Sequence, residues 1–188
     1  MTEKLAKYSI LGVDPGTNAM GYAILEVEGK QLRLLKMSVI TLSHLDEQQL
    51  KLKRIFERVS EVITQFEPKQ MAIEAPFYSK NVQAMLKLGR AQGVAIAAAI
   101  TNGVEMTEYL PKKVKQSVTG NGNASKEQVA AMLAQILKQD INADFLDATD
   151  ALAVAVCHYY QSSSILGGSK THNNWSSFLK ENNNRIIK

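Results

Sequence analysis

An apolar run that finishes on a carboxylate constrains this chain more than any other feature. Residues 8–13, YSILGV, have the composition of a buried strand, and Asp14 follows directly before Pro15 and Gly16 break the chain. A carboxylate at the end of such a strand is costly unless it is solvated, hydrogen-bonded or met by a cation. The stretch therefore predicts a core strand and a partner for its terminal charge.

Periodicity along the chain supplies the neighbours. Residues 21–27 (GYAILEV) form a second strand-like run, and residues 32–42 alternate apolar and polar side chains as a half-buried strand does. With EGKQ as the second turn, the three make an antiparallel meander. Leu50, Leu52, Ile55, Phe56, Val59, Val62 and Ile63 then recur at helical spacing, until Pro68 ends that helix. A short strand, QMAIEA, carries Glu74 at its end. Helical sequence is expected over about 79–101, a strand over 104–109, and a short helix from Pro111 through Val118. Ser125, with Gln128 three residues on, has the pattern of a capping box opening a helix to about Lys138. ADFLDATDALAVAVCHYY reads as a last helix packed on one face by Leu, Ala and Val. Strands followed by a βα alternation predict an α/β sheet covered by helices.

Composition narrows the class. The 188 residues suit one domain and, at 45% hydrophobic, can bury a sizeable core. Cys157 is the only cysteine, which excludes an internal disulfide and a thiolate metal cage. The longest apolar run, at 94–100, is too short for a bilayer, and MTEKLAKYSILG has no apolar core of signal-peptide length. A cytoplasmic protein without membrane association is expected. Residues 1–165 are expected to form the folded domain, and 166–188, rich in Gly, Ser and Asn, a flexible basic tail. Within the body, residues 75–126 hold Lys80, Lys87, Arg90, Lys112, Lys113, Lys115 and Lys126 against only Glu105 and Glu108. Basic charge gathered in one stretch suits a polyanion such as nucleic acid, although solvated lysines occur on any surface.

The carboxylates form a second pattern. Asp14 and Glu74 end two strands, which would bring them side by side if the strands are adjacent and parallel. Asp147 and Asp150, three apart, share one face of the last helix. Singly, Asp147 can be an N-cap, Asp150 a first-turn acid and Asp14 a turn residue. Glu74 has no such role in MAIEAPF, where a strand disfavours it. Four clustered carboxylates stay ionised together only around cations. Oxygen ligands without His or Cys suit Mg²⁺ or Mn²⁺, and a pair of such ions would clamp the attacking and leaving oxygens of a phosphodiester.

Five blocks make the pattern specific: GVDPGT at 12–17, AIEAPFYSKN at 72–81, LKLGRAQGVAIAAA at 86–99, VKQSVTGNG at 114–122 and DATDALAVAVCH at 147–158. Together, and in this order, they resemble the RuvC family of bacterial crossover junction endodeoxyribonucleases. The resemblance implies an RNase H-like α/β fold, a mixed five-stranded sheet with an antiparallel meander and then parallel strands, flanked by helices. It implies a homodimer that resolves four-way (Holliday) junction DNA in recombination and repair by paired symmetrical nicks. Two Mg²⁺ per site, with Mn²⁺ as a substitute, would leave 5′-phosphate and 3′-hydroxyl ends. By position, Asp14, Glu74, Asp147 and Asp150 match the family's catalytic metal ligands, and some members carry His in place of Asp147. Lys115 and Lys126 match basic residues near the cleaved strand. Phe77, with Tyr78 beside it, follows Glu74 where an aromatic ring can stack on an unpaired base. A branch-migration complex of RuvA and RuvB is the partner the family implies.

Two other readings start from the same residues. Sugar kinases and actin-like ATPases use a similar Asp-Gly-Thr turn, but they need a second, duplicated domain and a further phosphate loop. A catalytically silent scaffold would bind branched DNA through the basic stretch and cut nothing. Gly89 and Gly93, four apart, open one helix face, either to a second copy or, as the preferred expectation, to a tight fit on the sheet. His158 is expected to be a packed or surface histidine, and Cys157 a core residue.

Overall fold

The computed structural model describes residues 7–76, 81–141 and 146–166. Phe77, Tyr78, Lys80 and the basic segment after residue 166 lie outside the described residues. The sheet has five strands in the order β3-β2-β1-β4-β5. β1 (Lys7–Asp14), β2 (Ala19–Glu28) and β3 (Gln31–Thr41) form the expected antiparallel meander, turned between β2 and β3 by Gly29 at φ 61°. β4 (Gln70–Glu74) pairs with β1 in parallel, and β5 (Glu105–Tyr109) with β4. The helices are α1 (Gln48–Phe66), α2 (Val82–Thr101), α3 (Pro111–Thr119), α4 (Lys126–Leu137) and α5 (Leu146–Leu166).

Strand pleating sorts the side chains into two layers. Ile10, Ala23, Leu25 and Ala72 point to one face and pack with α3, α4 and α5. Leu11, Val13, Ile24, Met71 and Ile73 point to the other and pack with α1 and α2. Asp14 has the parity of Ile10, and Glu74 that of Ala72. Both carboxylates therefore emerge on the α5 face, at neighbouring strand ends, one step beyond the Val13–Ile73 pair. This is the juxtaposition that parallel pairing predicts.

α5 departs from the one-faced helix expected. Every residue from Ala151 to Tyr159 is buried, because the sheet covers one side and α3 and α4 the other. A helix that is apolar all round is an interior helix, and periodicity alone cannot say what lies on each side. Two glycines let it lie close to the strands. A Cβ on Gly12 would meet the Ala151 carbonyl oxygen at 2.1 Å, and one on Gly21 the Asp147 carbonyl oxygen at 1.9 Å. Gly21 is also the β2 partner of Asp14. Backbone contact at these two points brings the start of α5 onto the end of β1.

The opposite face is looser. α1 buries Ile55, Val59, Val62 and Ile63, whereas Leu50 and Phe56, expected on the same apolar face, are exposed. α2 begins at Val82, capped by the Asn81 side chain accepting from the Ala84 N–H, later than the expected start near residue 79. It buries Ala91, Ala95, Ala98 and Ala99. The expected fit of Gly89 and Gly93 against the sheet is not found, since a Cβ at either would meet nothing within 4 Å. Among the described residues, no helix is long and apolar enough to cross a membrane.

Candidate active site

Three elements deliver the acids to neighbouring positions. β1 ends on Asp14, β4 ends on Glu74, and the first described turn of α5 carries Asp147 and Asp150. One carboxylate oxygen from each of Asp14, Asp147 and Asp150 lies within 4.8 Å of the other two. Glu74 stands outside that tight trio but lines the same cleft of about 300 Å³ with Asp14, Asp150, Lys115 and Lys126. Pro15, Leu88 and Pro111 form apolar walls. A larger groove of about 930 Å³, beside the β2–β3 turn and the ends of α4 and α5, has no acidic lining residue.

The electrostatics show strain that a cation would relieve. Burial pushes Asp14 up to about 8, with the charges of Glu74 and Asp150 adding to it and Lys126 opposing. Burial likewise pushes Glu74 up to about 7, with Asp150 adding and Lys126 and Lys115 opposing. Each shift means that the carboxylate is harder to ionise than in water, because its neighbours are also acids and its surroundings exclude solvent. Lys126 meets the cluster directly. Its Nζ lies 2.5 Å from Asp150 Oδ2 and 4.0 Å from Asp147 Oδ1. Burial alone would lower the Lys126 pKa, but the Asp150 hydrogen bond and the charges of Asp150, Asp147 and Asp14 outweigh it and raise it. The donor set is carboxylate oxygen throughout, which fits a hard divalent cation.

Neighbouring side chains fix the frame. Lys51 donates to the Thr17 carbonyl oxygen at 3.2 Å and to Asn18 Oδ1 at 3.4 Å, tying α1 to the loop after Asp14. The Gln92 amide, buried on α2, donates to Glu108 Oε2 at 3.0 Å and to the Glu74 carbonyl oxygen at 3.4 Å. Sequence reasoning singled out neither residue. A lone amide inside the apolar run of α2 was a readable signal for Gln92, but Lys51 gave none. His158 is packed, as expected. With its proton on Nε2 it donates to Gln70 Oε1 and accepts at Nδ1 from the Tyr109 hydroxyl, which joins α5 to β4 and β5.

The basic residues divide. Lys115 and Lys126 reach the cleft. Lys87 lines a separate polar hollow with Thr17, Asn18 and Lys51. Arg90, Lys112 and Lys113 are exposed and do not line the acidic cleft, and the Lys112 stem lies over Gly122. Phe77 and Lys80 fall outside the described residues.

Comparison with known proteins assigns this geometry to a lineage. Residues 10–158 match the family described as crossover junction endodeoxyribonuclease RuvC, a span that includes all four acids. The chain belongs to the RuvC family. It is 57% identical over 177 residues to the crossover junction endodeoxyribonuclease RuvC of Cytophaga hutchinsonii, which covers 94% of this chain and 87% of that protein. It is 51% identical over 181 residues to the RuvC of Porphyromonas gingivalis, covering 94% and 96%. The solved structure of Thermus thermophilus RuvC in complex with a Holliday junction substrate superposes with a TM-score of 0.78 at 32% identity, over 84% of this chain and 96% of that one. The expected RNase H-like sheet is thus the fold of RuvC structures.

Proposed function

We propose that this chain is a metal-dependent endonuclease that resolves four-way DNA junctions by paired, symmetry-related nicks. The observation that carries the reading is the convergence of Asp14, Asp147 and Asp150 within 4.8 Å, with Asp14 and Asp150 lining one cleft with Glu74, in a RuvC-family chain. Asp14, Glu74, Asp147 and Asp150 would hold Mg²⁺, or Mn²⁺ in its place, and two such ions would supply Lewis-acid activation of water and of the leaving oxygen. The chain's own groups do the rest. The apolar walls Pro15, Leu88 and Pro111 limit water in the cleft. Lys115, beside the acids, is placed to neutralise the scissile phosphate and the charge that builds on its oxygens. Hydrolysis then leaves a 5′-phosphate and a 3′-hydroxyl.

The paired nicks need two sites, and α2 supports a homodimer. Val82, Leu86, Gly89 and Gly93 recur at steps of four, three and four, which places them on one stripe. Val82 and Leu86 are about half exposed, and both glycines face open space. A second copy laid along this stripe would cover apolar surface and place two clefts about a two-fold axis, matching the pseudo-two-fold symmetry of a four-way junction.

The test is strand-specific cleavage of a synthetic four-way junction with Mg²⁺ or chelator, comparing the parent with Asp14→Asn. Paired nicks that need the metal are expected from the parent. The variant should bind the junction and cut it slower by roughly 10⁴-fold, the scale seen when one member of a cooperating catalytic set is removed. Tight junction binding with no nick in the parent would leave the silent scaffold as the correct reading.

A further inference from the structure

The contact between Lys126 and Asp150 joins two groups with competing uses. Lys126 is the first residue of α4, where the helix dipole disfavours a cation. On α4 itself the ammonium has the charge of the exposed, adjacent Glu127 to offset the dipole, and the backbone there is firmly set. The Ser125 side chain accepts from the Gln128 N–H, and the Gln128 side chain accepts from the Ser125 N–H at 2.9 Å. This capping box aims Lys126 at α5, and its Nζ settles 2.5 Å from Asp150 Oδ2 with Asp147 Oδ1 at 4.0 Å. Those two aspartates belong to the same close trio of carboxylates as Asp14.

A hard divalent ion takes carboxylate oxygens at about 2.0–2.1 Å for Mg²⁺. An ion on the Asp150 oxygen that Lys126 now holds would lie at most about 4.6 Å from the ammonium, even on the far side of that oxygen. A double and a single positive charge that close, in a partly buried cleft, repel strongly. The Lys126 side chain is 49% exposed, so it has open solvent to move into.

We propose that Lys126 is the resident counter-ion of the acidic cleft, and that its ammonium competes with the divalent ion for Asp150. This rests on reading the four acids as the metal site. Without the ion, Lys126 offsets the mutual repulsion of Asp14, Asp147 and Asp150 and holds the start of α4 to the start of α5. Ion binding requires Lys126 to release Asp150, which leaves a free ammonium at the rim of the cleft for a DNA phosphate. The exchange links filling of the metal site to exposure of a phosphate-binding cation.

The test measures Mn²⁺ binding by the full-length protein without DNA, from the electron paramagnetic resonance signal of free Mn²⁺, alongside thermal melting. Lys126→Gln is expected to bind Mn²⁺ at least about tenfold more tightly than the parent. Its melting temperature should be lower without the ion and recover when Mn²⁺ is added. Lys126→Arg keeps a competing cation and should stay within about twofold of the parent. Lys115→Gln removes a cleft cation that has no ion pair with the aspartates, and should tighten binding far less than Lys126→Gln. Should Lys126→Gln not fold, Lys126→Met, which keeps the alkyl stem, takes its place with the same expectation. Unchanged or weaker Mn²⁺ binding in the neutral variant, with a parent that binds the ion and cuts junctions, would overturn the competition alone. A parent that binds no Mn²⁺ would overturn the metal-site reading together with it.

Discussion

The two faces of the sheet are built on opposite principles. On one, α5 is pressed to the strands at Gly12 and Gly21, where any Cβ would strike its backbone, and is sealed by α3 and α4. On the other, α1 and α2 bury an aliphatic and alanine layer but leave Leu50, Phe56, Val82, Leu86 and Ile100 exposed, with Gly89 and Gly93 facing open space. The tight face holds carboxylates from different elements at close range, which requires backbone contact. The loose face retains apolar surface that a second copy can cover. Glycine therefore has opposite meanings on the two sides: at Gly21 a side chain is excluded, whereas at Gly89 its absence leaves a surface open.

The largest contrast should come from one substitution made on each side. In Gly21→Ala the new methyl meets the Asp147 carbonyl oxygen, a backbone atom, so α5 must shift. Destabilisation of about 1–3 kcal/mol is expected, and junction cleavage should fall on the order of 100-fold as Asp147 and Asp150 move off Asp14. Melting curves and single-turnover cleavage read both effects, and parental activity would mean that the close approach does not place the acids.

A smaller effect sharpens the electrostatics of the tight face. Asp14 and Glu74 are raised to about 8 and about 7, so the folded, metal-free protein keeps protons that the unfolded chain has already lost. The stability associated with this retention is fully present below the ordinary carboxylate range and is lost as pH rises through about 7 to 8. Asp14→Asn removes the ionisation of Asp14. Its melting temperature, measured with chelator, should gain on the parent progressively between about pH 5 and 8 and by several degrees at the upper end. A gap that is constant with pH would show that Asp14 titrates normally. Added Mg²⁺ should narrow the gap by stabilising the parent.

The smallest expected effect has the opposite sign to Gly21→Ala. Gly89→Ala enters open space and removes the entropic cost of a mid-helix glycine, so the fold should gain about 0.5–1 kcal/mol by denaturant unfolding at dilute concentration. Gly89→Glu should fold equally well but sediment as a monomer, because a charge then interrupts the apolar stripe. A dimer that persists in Gly89→Glu would locate the interface elsewhere.

The strands and helices were readable because each follows its own periodicity. The apolar run over residues 8–13, period two over 32–42, helical spacing in α1, and Ser125 with Gln128 before α4 are local signals that tertiary packing did not override. The four acids were readable for a related reason. A glutamate ending an apolar strand, and an aspartate doing the same at Asp14, conflict with burial unless something compensates, so their identity and place already imply chemistry. The Lys126–Asp150 pair was not readable, since its members lie on separate helices and only the lie of α4 against α5 brings them to 2.5 Å.

By itself the sequence determined the order of elements, the place of Asp14 and Glu74 at the ends of two strands, and the family, since all of these are written in nearest-neighbour spacing and residue type. Tertiary structure alone decided that α5 is buried all round, that Gly89 and Gly93 face outward, that Gln92 reaches the Glu74 backbone, and that Asp147 and Asp150 share one ammonium. Those outcomes depend on how closely non-adjacent segments approach, and that distance is set by the packing of the whole chain.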